Sequence, residues 1–262
     1  MPRSSDRILW VDGLKGLLAV WIILFHYGIA FINRGYIGFA TNYADGALYE
    51  HYFRNFPFSI FVNSTFPLYV FMFLIAFIPA YQFFKDNSET RITEHAKVRY
   101  FRLMIPTFAA CVITFILHHA GLLRHVSVGE QTGVLWLQEI MKVDFSFPSL
   151  LYEGLIKAYI SGSQYISVSW VMGYIFIGSF LSYAILLLFG KAEKRIPYYI
   201  GLFIFLFFFD QSYICFLTGI VAADLLRRSQ DGKMRAFPPA VSAVLVAAGL
   251  LLSAVPMVCL PK

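Results

Sequence analysis

Seven apolar runs, at roughly 13–33, 59–84, 103–122, 165–190, 197–210, 212–226 and 237–259, dictate the solvent in which this 262-residue chain folds. A helix needs about 20 consecutive apolar residues to cross the hydrocarbon core of a bilayer, and most of these runs supply them. Hydrophobic residues make up 59% of the chain and charged ones only 14%, which excludes a soluble globular domain. With no water to satisfy a backbone inside lipid, such runs fold as helices. The expectation is therefore an all-α polytopic transmembrane bundle of about seven spans, forming one membrane domain over residues 1–262. The weakest run is 197–210, because Asp210 and Gln211 interrupt it and the two short runs around them would also suit a re-entrant pair. It stays in the count because removing it moves the basic residues after Leu226 to the opposite side of the membrane.

Charge sets the orientation. With a cytoplasmic N-terminus, fifteen of the 21 Lys and Arg residues fall in inside segments, among them Arg3, Arg7, Lys15, Lys85, Arg99, Arg102, Lys191 and Arg228. Six fall outside, Arg34, Arg54, Arg124, Lys142, Lys157 and Lys262, although the outside loops are longer. That asymmetry is the positive-inside pattern, so the net charge of +6 needs no nucleic-acid partner. The lipid bilayer is the partner it implies. The first run is too long for a cleaved signal peptide and no small-residue cleavage site follows it, so it should stay as an anchor. Cys111, Cys215 and Cys259 lie in or beside runs without CxxC spacing, which gives neither a disulfide framework nor a zinc site, and the sequon at Asn63 adjoins a span. Between the third and fourth runs, VLWLQEIMK and SLLYEGLIKAYI read as interfacial helices roofing a cavity on the outer face.

Inside the first run, GLKGLLAVWIILFHYGIAFI, sits His26. Eleven residues separate it from Lys15, which at about 100° per residue returns to nearly the same helix face after a rise of roughly 16 Å. Asp12, Gly16, Ala19 and Ile23 share that face, and its small residues let a neighbouring helix or an elongated ligand approach. An ionisable group at that depth points to function, with a neutral packing imidazole as the alternative. Asp12 and Lys15, three apart, also suit a helix-entry ion pair. In KVRYFRLMIP, Arg99 and Arg102 project from one face where the third run enters the membrane, a phosphate clamp or, alternatively, an anchor to lipid phosphates. His118 and His119 point about 100° apart and do not share a metal easily. No metal site, Gly-rich phosphate loop or Ser/His/Asp set is present, and no bound cofactor is expected.

These motifs resemble the acyltransferase 3 family of integral membrane O-acyltransferases. RILWVDGLKGLLAVWIILFHYG is similar to the family's first helix through Asp12, Gly13, Leu14, Gly16 and His26, with Lys15 where the family has Arg. VRYFRLMIP resembles its Arg-x-x-Arg-hydrophobic-x-Pro segment through Arg99, Arg102 and Pro106. FMFLIAFIPA, VSWVMGYIFIGSF with Trp170, and CFLTGIVAADLL with Phe216, Gly219 and Ala223 continue the match collinearly. The departures are Lys15 for arginine, Ile75 and Ala76 for a Ser-Gly pair, nothing acidic near Ile175 where the family carries Glu, and an end before the family's final helices.

The resemblance implies a multi-pass protein of the plasma or inner membrane that moves an acyl group, acetyl above all, from acyl-CoA to a hydroxyl of a cell-surface or secreted carbohydrate. His26 would be the catalytic base; Lys15, Arg99, Arg102, Asp12 and Trp170 would bind donor or acceptor. The alternative is a non-catalytic carrier or an inactive relative. The acceptor glycan and any protein partner stay open.

Overall fold

The computed structural model describes residues 9–31, 64–132, 134–232 and 238. Among them the regular elements are all helical: α1 (Leu9–Phe31), α2 (Thr65–Asp86), α3 (Glu89–His119), α4 (His125–Thr132), α5 (Leu135–Glu139), α6 (Phe147–Leu155), α7 (Trp170–Phe189), α8 (Ile196–Phe209) and α9 (Ile214–Gln230). Two short 3₁₀ turns, Lys157–Tyr159 and Gln211–Tyr213, join them. Among the described residues four helices, α1, α2, α3 and α7, are long and apolar enough to cross a membrane, and the chain is a membrane protein. Except for Pro238, the expected span 237–259 lies outside the described residues, as do Asn63, Cys259, Arg3, Arg7, Arg34, Arg54, Lys233, Arg235 and Lys262. The run 197–210 becomes α8, whose 14 residues rise about 21 Å, short of a hydrocarbon core of about 30 Å. Its Phe203, Phe205, Phe207, Phe208 and Phe209 are exposed and only Leu206 is buried, which suits contact with lipid on most sides.

The expected third span, 103–122, is the distal part of a longer helix. α3 has 31 residues and extends about 46 Å, beginning well before the apolar run. Its start is local chemistry. Ser88 caps the helix by accepting the Arg91 N–H, the Ser88 N–H donates to Asp86, and Asp86 pairs with Arg91 at 2.6 Å. Asn87 adopts φ 52°, the left-handed conformation that ends a helix, and so closes the hairpin between α2 and α3.

The chain divides into two compact units. One is built from Tyr69–Leu122 and Met141–Ala236, the other from Leu9–Leu68 and Leu123–Ile140. In the second unit α1 packs on α5. Val11 and Leu18 are buried, and Trp21 lies 5.9 Å from the ring of Phe66.

In the first unit, α7, α9 and α2 approach closely at small residues. The Phe216 ring lies against Gly178, where an added Cβ would come within 2.3 Å of it. A Cβ at Gly219 would stand 2.4 Å from the carbonyl oxygen of Phe73 on α2. Phe216 and Ala223 are fully buried. The family-like stretch CFLTGIVAADLL is therefore a packing motif.

The segment expected as an interfacial helix, SLLYEGLIKAYI, runs alongside α3 instead. Phe145 stacks on His118 at 3.8 Å, the Phe108 ring faces Gly154, and the Tyr100 hydroxyl donates to the carbonyl of Leu155 at 2.7 Å. His118 to Tyr100 covers about 27 Å of helix, so the contacts of this stretch extend along most of the apolar part of α3. Non-helical backbone is tolerated there only if its polar groups are satisfied within the protein. Side chains supply this over residues 163–165: Ser163 N–H donates to Ser169 Oγ at 2.6 Å, Tyr165 N–H to Ser163 Oγ, and Gln164 N–H to Glu153 Oε2 at 2.7 Å.

Candidate functional site

His26 lies in the penultimate turn of α1, half-buried, with its Nδ1 2.7 Å from the carbonyl oxygen of Ile22. A carbonyl only accepts, so Nδ1 carries the proton in this contact and the neutral ring keeps its lone pair on Nε2. That is the tautomer of a base. The edge of Phe25 meets the ring at 5.2 Å and steadies its plane. Asp12 and Lys15, both half-buried, are engaged by neighbouring groups. Between Lys15 and His26, Gly16, Ala19 and Ile23 are exposed among the described residues, and a Cβ at Gly16 would meet nothing within 4 Å. Among the described residues the middle of the lysine-to-histidine face is therefore exposed, and its two ends are half-buried.

Arg99 and Arg102 belong to the other unit. They stand on α3 with His95 and Arg91 behind them at intervals of three and four residues, which puts all four on one face of the helix. His95 feels the charges of Arg91, Arg99 and Arg102. Arg99 is half-buried, with an Nε shut off from solvent and no acceptor for it among the described residues. Arg102 is exposed. From α7, Tyr183, 7% exposed, comes within electrostatic range of both arginines. Pro106 has no N–H to give to the Arg102 carbonyl, so the helix leaves that acceptor free of its usual partner. Lys97 instead pairs with Glu94 at 2.6 Å on the exposed side.

Trp170 opens α7 and borders a cleft of about 370 Å³ shared with Tyr174, Tyr213, Ser161 and Asp210. Its ring meets that of Tyr174 edge-on at 6.1 Å, and Tyr174 lies 5.5 Å from Tyr213. Asp210 accepts the Ser212 N–H, which orients the carboxylate at the end of α8. Gly162, at φ 86°, makes the turn under Trp170, since a Cβ there would come within 2.6 Å of its Cα.

Structure adds three groups that the sequence did not single out. His95 was visible as a spacing, four residues before Arg99. Tyr183 carried no local signal. Glu153 and Lys157, one turn apart, form an ion pair at 2.6 Å between a buried carboxylate, 4% exposed, and a half-buried ammonium. Among the described residues no group of three or more His, Cys, Asp or Glu is placed to hold a metal ion.

The profile of the acyltransferase 3 family, described as an acyltransferase domain, matches residues 8–258, nearly the whole chain. No curated protein and no solved structure matches it.

Proposed function

The chain belongs to the acyltransferase 3 family, and from that premise we propose that it is a membrane O-acyltransferase, moving an acetyl or related acyl group from acyl-CoA to a hydroxyl of a cell-surface or secreted carbohydrate. The observation that carries this reading is His26, whose Nδ1–H is spent on Ile22 so that Nε2 is free to take a proton. In the proposed reaction Nε2 removes the proton from the acceptor hydroxyl. The oxygen attacks the thioester carbonyl, a C–O bond forms as the C–S bond breaks, and the imidazolium returns the proton to the departing thiolate.

Arg99 and Arg102 hold donor phosphates, because guanidiniums meet phosphate oxygens through paired, charge-assisted hydrogen bonds. Lys15 adds charge near the cytoplasmic end of the α1 face, along which the acyl group travels toward His26, with Asp12 beside it. The cleft at Trp170 supports a carbohydrate acceptor. Aromatic faces pack on the C–H faces of a sugar ring while the Asp210 carboxylate accepts from its hydroxyls. The N-terminus is cytoplasmic in this reading and the protein resides in the plasma or inner membrane, consistent with the fifteen-to-six segregation of basic residues.

The test is transfer of label from acetyl-CoA to polysaccharide in membranes carrying the chain or its His26→Gln variant. Glutamine keeps much of the size and hydrogen bonding but does not titrate near neutral pH. At matched abundance the variant should lose about 10²- to 10⁴-fold in transfer. Undiminished transfer refutes the assignment of His26 as base. No transfer by the unaltered chain favours the carrier or inactive-relative reading, which the lysine at position 15 and the apolar, buried Ile175 also favour.

A further inference from the structure

A second basic site lies in the first unit, lined by none of the residues of the Arg99–Arg102 face. A cavity of about 520 Å³, within the usual range of small-molecule sites, is bordered by Lys85, Lys191, Arg195, Arg227 and Arg228. Three separate parts of the chain supply them: the end of α2, the turn between α7 and α8, and the end of α9. Each is a segment that the charge pattern assigns to the cytoplasmic side. Five cations face three carboxylates, Glu193, Asp224 and Asp231.

The carboxylates do not neutralise the cavity. Asp224 is buried and shared by two guanidiniums, Arg195 Nη1 at 2.5 Å and Arg228 Nε at 3.1 Å, with the Tyr199 hydroxyl donating at 3.2 Å. One carboxylate against two arginines leaves a positive charge in surplus. Asp231 lies 3.7 Å from Arg227, and Glu193 is exposed. Lys191 pairs outward with Glu89, but both side chains are more than half exposed and water competes for the contact.

Two of the arginines are held in place by stacking. Arg195 lies over the Phe84 ring at 4.7 Å and Arg227 over Tyr81 at 5.5 Å. Arg195 spends one nitrogen on Asp224, and the planar fork retains further N–H donors. The Nε groups of Arg195 and Arg227 are buried with no acceptor among the described residues. Fixed guanidiniums around a cavity lined by more cations than carboxylates are the chemistry that recognises phosphate.

We propose that this cavity is a phosphate-binding site, distinct from the Arg99–Arg102 face, that takes a phosphate-bearing ligand from the cytoplasmic side. The same chemistry has two sources, a phosphate of the acyl donor other than those that Arg99 and Arg102 hold, or the headgroup of an anionic lipid. Assigning the first source rests on the acyltransferase reading; the binding site itself does not.

The experiment uses the full chain in phosphatidylcholine nanodiscs, titrated with inorganic pyrophosphate and with ADP by calorimetry. Arg195 and Arg228 are left intact because they secure Asp224. Lys85→Gln with Arg227→Gln should weaken binding by about tenfold or more, the loss expected for charge-assisted contacts. Glu193→Gln, which removes an exposed like charge, should tighten it and serves as the variant that carries no folding penalty. A parallel preparation in phosphatidylglycerol is assayed by native mass spectrometry. Retention of that lipid by the unaltered chain, lost in the double variant, supports the site with the lipid as its source. Pyrophosphate affinity and lipid retention both unchanged in the double variant overturn the proposal. If they are unchanged while transfer still depends on His26, the cavity alone falls and the catalytic reading stands.

Discussion

Replacing Gly178 by Ala should destabilise the first unit through one identifiable collision. The new Cβ would lie 2.3, 2.4 and 2.6 Å from the Cζ, Cε2 and Cε1 atoms of Phe216. Carbon atoms rest at about 3.5 to 4.0 Å, so the ring or its helix must retreat by roughly 1 Å. Neither is free to do so. Phe216 is fully buried, and α9 is held one turn on by Gly219, which has the Phe73 carbonyl 2.4 Å from its Cβ position. Overpacking of this kind costs about 1–3 kcal/mol, and the lack of any way to yield argues for the upper half of that range.

Phe216→Leu removes the ring tip that meets the new methyl group. On its own it should also destabilise, by leaving space beside Gly178. Combined with Gly178→Ala it should cost less than the two changes added, with a coupling of about 1 kcal/mol or more. The burial of apolar surface contributes little to this difference because lipid is as apolar as the core, and packing alone carries it. Unfolding midpoints in mixed micelles, measured for both single variants and the double, give the coupling directly. Simple additivity would show that the two side chains do not meet, and the close approach of α7 and α9 would then be wrong.

Arg99→Gln and Arg102→Gln should each raise the apparent KM for acyl-CoA, an effect of about 1.5–3 kcal/mol per lost charged hydrogen bond, with kcat for the bound donor changed less. Unaltered donor kinetics in variants present at normal abundance would leave the two arginines as lipid anchors. Trp170→Ala should raise the KM for the carbohydrate acceptor and leave that for acyl-CoA unchanged; a donor effect instead would remove the cleft from the acceptor site. Glu153→Gln should lower the unfolding midpoint by an amount equivalent to about 1–3 kcal/mol, because it weakens the bonds of the buried Glu153 carboxylate to the half-buried Lys157 ammonium and to the Gln164 N–H. If Glu153→Gln and Lys157→Gln are each harmless, the segment is not buried beside α3. Tyr100→Phe removes only the bond to the Leu155 carbonyl and should cost about 0.5–1.5 kcal/mol in the same assay.

What the sequence by itself determined follows from interactions that close within a few residues. Apolar length requires helices because each backbone N–H finds its acceptor four residues back. The cap at Ser88 and the turn at Asn87 are equally local, so the start of α3 follows from DNSE. The Lys15–His26 and Arg99–Arg102 faces depend on helical periodicity alone, and even the His26 tautomer is set by a carbonyl on its own helix. The segment 145–165 shows where this reasoning stops. Its amphipathic pattern fits the surface of a membrane as well as the flank of α3, and the choice rests on Phe145, Gly154 and Tyr159 meeting partners some 30 to 60 residues away. Nothing local to Glu153 announces its burial, which Lys157 and the Gln164 N–H complete. The cleft at Trp170 draws residues from 160 to 213, and the basic cavity draws them from 84 to 231. Only tertiary structure decides such sites, because their energy lies in contacts between helices, whereas periodicity records only which residues share a face.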